Sequence, residues 1–187
     1  MKKRCTWVKS EVSKIYHDTE WGREVFLDEK LFEYLILETM QAGLSWEIIL
    51  KKRENLKKVF CNFDYVKCSK LSDEYLDSLL TNENIIRHKL KIYSVRKNAK
   101  SFLNVILEFK NFKNYLAQFS DYKTTNHHNK NEIITKNELS DIISRDMKKR
   151  GFSFVGSVTI YSYLQAIGII DAHEKDCFCY AECRKTL

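Results

Sequence analysis

Apolar side chains recur along this chain at helical rather than alternating spacing. Over 28–42, Leu31, Phe32, Leu35, Ile36 and Thr39 share one stripe of a helix that Asp28 caps and Gly43 stops. Ser45 then caps a second helix that starts at Trp46. The pattern predicts further helices over 73–80 after Ser72, over 89–109 with Ile92, Val95, Ala99, Phe102 and Ile106 on one face, and over 111–119. Two more follow over 140–150 and 157–167, stopped by Gly151 and Gly168 and joined by a short extended link through Phe152, Phe154 and Val155. Residues 120–137 are polar and read as an exposed loop, in which His127 and His128 are expected to be solvated. No repeat and no strand–helix alternation is present, so the expected fold class is all-α, in a single domain over 1–187.

Composition supports long helices with short connections, since proline is absent and only 5 glycines punctuate 187 residues. No apolar run is long enough to span a membrane. The start, MKKRCTWVKS, lacks the apolar core of a secretory signal, so a reducing cytoplasm is the expected compartment. There, 6 cysteines point to metal binding or free thiols rather than a disulfide framework.

The cysteines and histidines pair at opposite ends of the chain. Cys5 with His17, and His173 with Cys177, form a Cys2His2 set of the kind that holds one zinc ion, with Cys179 and Cys183 as rivals to Cys177. Such an ion would tie the two ends together. Buried, metal-free thiols are the alternative reading of the same residues.

Charge adds a second feature. The balance of 32 basic and 25 acidic residues gives a formal +7, common among soluble proteins and suited to a polyanion. The stretch 85–100 holds six Lys or Arg (Arg87, Lys89, Lys91, Arg96, Lys97 and Lys100) and no acid. It follows a short turn, 81–84, between two helices, a hairpin able to offer backbone amides and cations to a DNA backbone.

Glu38 breaks the apolar pattern of its helix, seven residues after Leu31 and three after Leu35. A buried carboxylate is costly unless satisfied, so Glu38 is either held by a backbone amide or a lysine, or faces a ligand as acceptor or general base. All 3 tryptophans, Trp7, Trp21 and Trp46, fall in the first 46 residues beside Tyr16. They form either core or stacking walls for a planar, electron-poor ligand.

The stretches YHDTEWG (16–22), LETMQAGLSWEIILKKRENL (37–56), IIRHKLKI (85–92) and KKRGFSFVGSVTIYSYLQAIGIIDAH (148–173), in this order, closely resemble the 3-methyladenine DNA glycosylase I family. The resemblance implies a helix–hairpin–helix glycosylase fold and a monofunctional enzyme that flips N3-methyladenine from double-stranded DNA and hydrolyses its N-glycosidic bond. It implies Glu38 as the group contacting the base edge, with Tyr16, Trp46, Trp7 and Trp21 around the base. Gln41, Gly43 and Leu44 would project at the DNA, Leu44 as a wedge, and the phosphate grip would include Arg87, Lys89 and Lys91. The family's structural zinc falls on Cys5, His17, His173 and Cys177, and the expected state is a monomer. The chain departs from the family pattern in three places. Ser13 stands where a pocket tyrosine is usual, the Cys5–His17 gap is one residue short, and Asn84 replaces a hairpin glycine. A zinc-clasped module that binds lesions without cutting, and a glycosylase for another lesion, are the competing readings.

Overall fold

Every residue over 31–40 of the second helix is buried, including Glu33 and Glu38. A helix enclosed on all sides belongs at the centre of a fold. The computed structural model describes residues 2–120, 125–126 and 134–182, so His127, His128 and Cys183 lie outside the described residues. It is mostly helical: α1 (Glu11–Thr19), α2 (Asp28–Gln41), α3 (Trp46–Val59), α4 (Tyr65–Cys68), α5 (Asp73–Ser78), α6 (Lys89–Phe109), α7 (Phe112–Leu116), α8 (Glu138–Lys149), α9 (Ser157–Ala166) and α10 (Cys179–Glu182). The central α2 packs against α3, α6, α7 and α9, and α8 packs on α9. One two-residue parallel pairing, β1 (Thr125–Asn126) with β2 (Ile170–Asp171), is added to the all-α expectation. No helix among the described residues is long and apolar enough to cross a membrane.

The long helix α6 has the predicted bounds and buries Ile92, Val95, Ala99 and Phe102. Elsewhere the capping chemistry shifts the ends. Asp28 is the first residue of α2 rather than its cap, which is Leu27, and its carboxylate accepts from the Phe112 amide at 2.9 Å. One side chain therefore starts α2 and satisfies an orphan donor at the start of α7. Asn137 caps α8 through a reciprocal bond with Ser140, two residues earlier than the apolar pattern suggested. The predicted 73–80 helix tightens into a 3-10 turn, Leu79–Thr81, after α5. The short link before α9 is not extended throughout. Phe154 takes a left-handed φ of 59°, and Asn98 grips Ser153 next to it, accepting from its amide at 2.7 Å and donating to its carbonyl at 3.1 Å.

The hairpin before α6 needs no glycine at Asn84. Among the described residues the positive-φ positions do not include it, and its amide donates to the Asn82 side chain at 3.0 Å. An Asx turn closes the connection without the left-handed conformation for which glycine is usually needed.

Candidate active site

Four elements converge on one cavity of about 210 Å³, lined by Trp7, Trp21, Glu38, Gln41, Trp46, Ser162 and Gln165. Glu38 comes from the last turns of α2, Trp46 opens α3, and Ser162 and Gln165 share a face of α9. Trp7 and Trp21 flank α1, where their rings meet edge to face with centroids 5.1 Å apart. Tyr16 is not at the cavity surface but packs behind it, with its ring 5.3 Å from Trp46 and 6.4 Å from Trp7.

Three polar groups around this cavity lack partners among the described residues, although the Gln41 side chain is engaged. Among the described residues the Glu38 carboxyl has no hydrogen-bond or ion-pair partner, and burial pushes its pKa up to about 8. The Tyr16 hydroxyl and the Trp7 indole N–H are also buried without a partner. Burial, with the nearby Glu38 carboxylate second, drives the Tyr16 phenol well above its usual range. Buried polar groups are normally satisfied, and three orphans around one cavity are what a site awaiting a polar ligand presents. Among the described residues there is no lysine or amide partner of the kind that would make Glu38 structural.

A larger cleft, about 580 Å³, lies elsewhere, between Thr19, Phe26, Leu27, Tyr34, Arg53 and Lys57. Its charges satisfy one another. Arg53 donates to both oxygens of Glu20 at 2.8 and 2.7 Å and to Glu33 at 2.8 Å, and the Tyr34 hydroxyl donates to Glu20 at 2.8 Å. It offers no unmet polar group comparable to Glu38.

Beside the smaller cavity the chain ends meet. The ligand atoms of Cys5, His17 and Cys177 lie within 4.8 Å of one another, as do those of His17, His173 and Cys179. All five are buried. Thus the four predicted ligands are gathered around His17, with Cys179 as a fifth donor. Each imidazole bonds a carboxylate through Nδ1, His17 to Asp18 at 2.9 Å and His173 to Asp171 at 3.1 Å. That arrangement turns both Nε2 atoms inward, and the His173 Nε2 is buried without a partner. Burial pushes the Cys5 thiol far above its usual range, so a bound cation is what would hold it as thiolate. This donor set and its outer carboxylates fit a tetrahedral zinc.

Clasp and cavity share a wall. Trp21 stacks on His17 at 5.9 Å and 27° and meets His173 edge-on at 4.6 Å. Gly22, with φ of 74°, lets the backbone pass His173, because a Cβ there would overlap the imidazole. The family tyrosine that Ser13 replaces has no counterpart in the lining. The Ser13 hydroxyl is instead engaged at the start of α1, accepting from the Ser10 amide at 2.9 Å and donating to its carbonyl at 2.8 Å.

The segment following α2 turns sharply at Gly43, exposed with φ of 77°. The Leu44 amide donates to the Gln41 carbonyl at 2.7 Å, and the Gln41 side chain donates back to the Leu44 carbonyl at 2.9 Å. Of the predicted cations, Arg87 and Lys89 are exposed, near Glu83 at 3.6 Å and Asp77 at 3.0 Å. Lys91 is not on that surface. It is 5% exposed, and its ammonium donates to the Met40 and Ala42 carbonyls at 2.8 and 2.5 Å. Arg96 is likewise held, on the Leu71 carbonyl at 2.7 Å and on Asp73. Sequence reasoning missed Ser162 and Gln165, although they are polar positions three apart on one face of a mostly buried helix.

The chain is similar to known proteins along most of its length. The methyladenine glycosylase family model matches residues 7–180. The chain is 39% identical to the DNA-3-methyladenine glycosylase of Haemophilus influenzae, over 96% of this chain and 98% of that one. It is also 39% identical to DNA-3-methyladenine glycosylase 1 of Escherichia coli, over 95% and 96%. A crystal structure of 3-methyladenine DNA glycosylase I superposes with a TM-score of 0.90 at 38% identity, covering 95% of this chain and 99% of that one. Another, a Tyr-to-Phe variant of that enzyme in complex with 3-methyladenine, gives 0.86 at 34% identity over 91% and 92%. With the family match running over residues 7–180 and so through the whole lining of the cavity, the chain belongs to the methyladenine glycosylase family.

Proposed function

We propose that this protein is a DNA-3-methyladenine glycosylase, which turns an alkylated adenine out of duplex DNA into the 210 Å³ cavity and hydrolyses its N-glycosidic bond. The products are the free base and an abasic site. The observation that carries the reading is Glu38, a buried carboxyl without a partner among the described residues, at an aromatic-walled cavity.

Methylation at N3 makes the adenine a cation and a good leaving group, so the enzyme has to select and orient it rather than supply a strong acid. With no cation beside it, the burial of Glu38 favours its protonated form near neutral pH. A cationic ring beside it favours the carboxylate, and the indole faces of Trp46, Trp21 and Trp7 attract the same charge. Neutral adenine gains neither. Tyr16 backs Trp46 and keeps its hydroxyl available near Glu38.

The hairpin and α6 serve as a helix–hairpin–helix grip on double-stranded DNA, with Arg87 and Lys89 on phosphates. The 41–44 segment faces the duplex, and Leu44 fills the vacated stack. Cys5, His17 and His173, with Cys177 or Cys179, hold one zinc, whose chemistry is structural because four protein ligands leave no open position. His17 and His173 then fix Trp21 as a cavity wall. The protein works as a monomer in the reducing cytoplasm, where its thiols stay available to metal.

The test is release of base from methylated DNA with chromatographic identification of the product. Free 3-methyladenine is expected from the wild-type protein and its loss from Glu38→Gln. Wild-type release by that variant would remove Glu38 from the mechanism, and binding without any release would favour a lesion-binding module.

A further inference from the structure

Lys91 is the third residue of α6, and its side chain crosses to the end of α2, where it is 5% exposed. No acidic group pairs with it among the described residues, and burial lowers the pKa of its ammonium. A buried lysine without a counter-carboxylate is costly, and its partners here are two backbone carbonyls, Met40 at 2.8 Å and Ala42 at 2.5 Å. These are orphan acceptors at a helix C-terminus, where the dipole favours a cation.

The segment those carbonyls bracket is the one proposed above to enter the DNA. The Gln41 carbonyl accepts from the Leu44 amide and the Leu44 carbonyl from the Gln41 side chain, so the turn is closed on itself. The Met40 and Ala42 carbonyls are held from outside, by Lys91 alone among the described hydrogen bonds. Gly43 at the tip has open space around it and a left-handed φ. The hairpin side is tied similarly, since Lys52 on α3 donates to the Glu83 carbonyl at 2.8 Å. Two residues before Lys91 on the same helix, Lys89 points to solvent.

We infer that Lys91 is a positioning residue that fixes the 41–44 turn to the first turn of α6, so that the phosphate grip and the base-extruding wedge move as one rigid piece. The inference rests on reading that turn as the DNA-facing wedge. The ammonium has three donors and can hold two carbonyls that point in different directions. Without it the hydrogen bonds left to the turn among the described residues are its own, with the packing of Leu44 on the core beside them, and a Leu44 misplaced by an ångström no longer meets the base stack when α6 seats on the backbone. Lys91 does not line the cavity and acts only through the turn.

The experiment compares excision of 3-methyladenine from two DNAs, one with the lesion fully paired and one with it unpaired in a bulge. Lys91→Met keeps the apolar stem and removes the donors. It is expected to lower kcat on paired DNA by roughly 10- to 100-fold, with KM little changed, because Arg87 and Lys89 remain. On the bulged lesion, already unstacked, most of the rate should return, and affinity for free 3-methyladenine should stay at the wild-type value. Equal losses on both DNAs would reduce Lys91 to general stability, and a wild-type rate on paired DNA would overturn the inference. If Lys91→Met does not fold, Lys91→Arg is read the same way. Its longer planar fork cannot hold both carbonyls with the turn in place, and it should show a smaller preference for the bulged lesion. Leu44→Ala tests the underlying reading separately. If that variant excises paired lesions normally, the wedge is elsewhere, whatever Lys91 does.

Discussion

The Cys177 sulfur lies 3.3 Å from the His17 Nε2, across a separation of 160 residues. The contact closes the chain beside Trp21, so the ends of the sequence, rather than its middle, fix one wall of the cavity. In the proposed mechanism α2, at the centre of the core, sets the base edge, and the two supports lie far apart along the chain. Fixing both would let a single carboxyl at Glu38 be selective, because its charge preference is useful only if the ring is held against it.

Zinc should therefore be removable without touching Glu38. The purified protein is expected to contain about one zinc per chain by elemental analysis, and Cys177→Ala to lose it. Loss of a structural ion costs several kcal/mol, which for a chain of this size lowers the melting temperature by roughly 10 °C. Full zinc retention by Cys177→Ala, with loss from Cys179→Ala, would transfer the ligand role to Cys179.

Glu38 makes stability depend on pH in a stated direction. Its pKa is raised by burial from 4.5 in the open chain to about 8 in the folded protein. The folded state thus binds more protons between those values, and the contribution present below about pH 4.5 is lost as pH rises through 8. Glu38→Gln has no such loss. Its unfolding free energy should exceed that of the wild type by an amount that grows from pH 5 to pH 8.5, of the order of a few kcal/mol at the upper end, read as a rising difference in melting temperature. A difference that stays constant with pH would mean that Glu38 is satisfied in the free protein.

How much of this was legible in the sequence depended on whether burial or geometry decided the matter. The α6 bounds were readable because an apolar stripe and a polar cap coincide at His88, whose side chain accepts from the Lys91 amide. Helix α1 was not readable, because it has no continuous apolar stripe and Ile15 is exposed; its start rests on reciprocal bonds between Ser10 and Ser13. Glu38 was visible as a break in pattern, and the four clasp residues as unusual residue types. Lys91 was misplaced on the DNA surface because charge was counted along the chain rather than around the helix. It stands four residues before Val95 on the buried stripe, whereas Lys89 does not. Cys179 could not be ranked against Cys177 from spacing, and the folded chain brings both sulfurs near His17.

The charged cleft beside α1 predicts a stability effect unconnected with base recognition. Arg53 is 13% exposed and bonds Glu20 and Glu33, whose side chains are 27% and 7% exposed. Arg53→Met leaves Glu20 and Glu33 with Lys30 as their remaining cation, at 3.9 and 2.9 Å, and breaking a partly buried network this way costs about 3 kcal/mol. At roughly 2–4 °C per kcal/mol, the melting temperature should drop by about 10 °C. Excision by the surviving folded fraction at low temperature should be normal, because none of the three residues lines the base cavity. Loss of excision in the still-folded variant would mean that the cleft communicates with the site.

Salt dependence separates the surface lysine from the buried one on the same helix. A cation that neutralises a phosphate releases counterions, and its removal reduces the slope of log affinity against log salt by about 0.9. Lys89 is exposed, and its partner Asp77 holds it through a solvent-facing ion pair, which is weak enough to exchange for a phosphate. Lys89→Ala is expected to flatten the slope by about one phosphate, and Arg87→Ala, released from Glu83, to do the same. Lys91→Met should leave the slope at its wild-type value, because its ammonium never faces the backbone of the DNA. Titrations of duplex binding at several salt concentrations check all three. A slope that falls with Lys91→Met but not with Lys89→Ala would mean that the hairpin opens on DNA and that the buried ammonium becomes the phosphate contact.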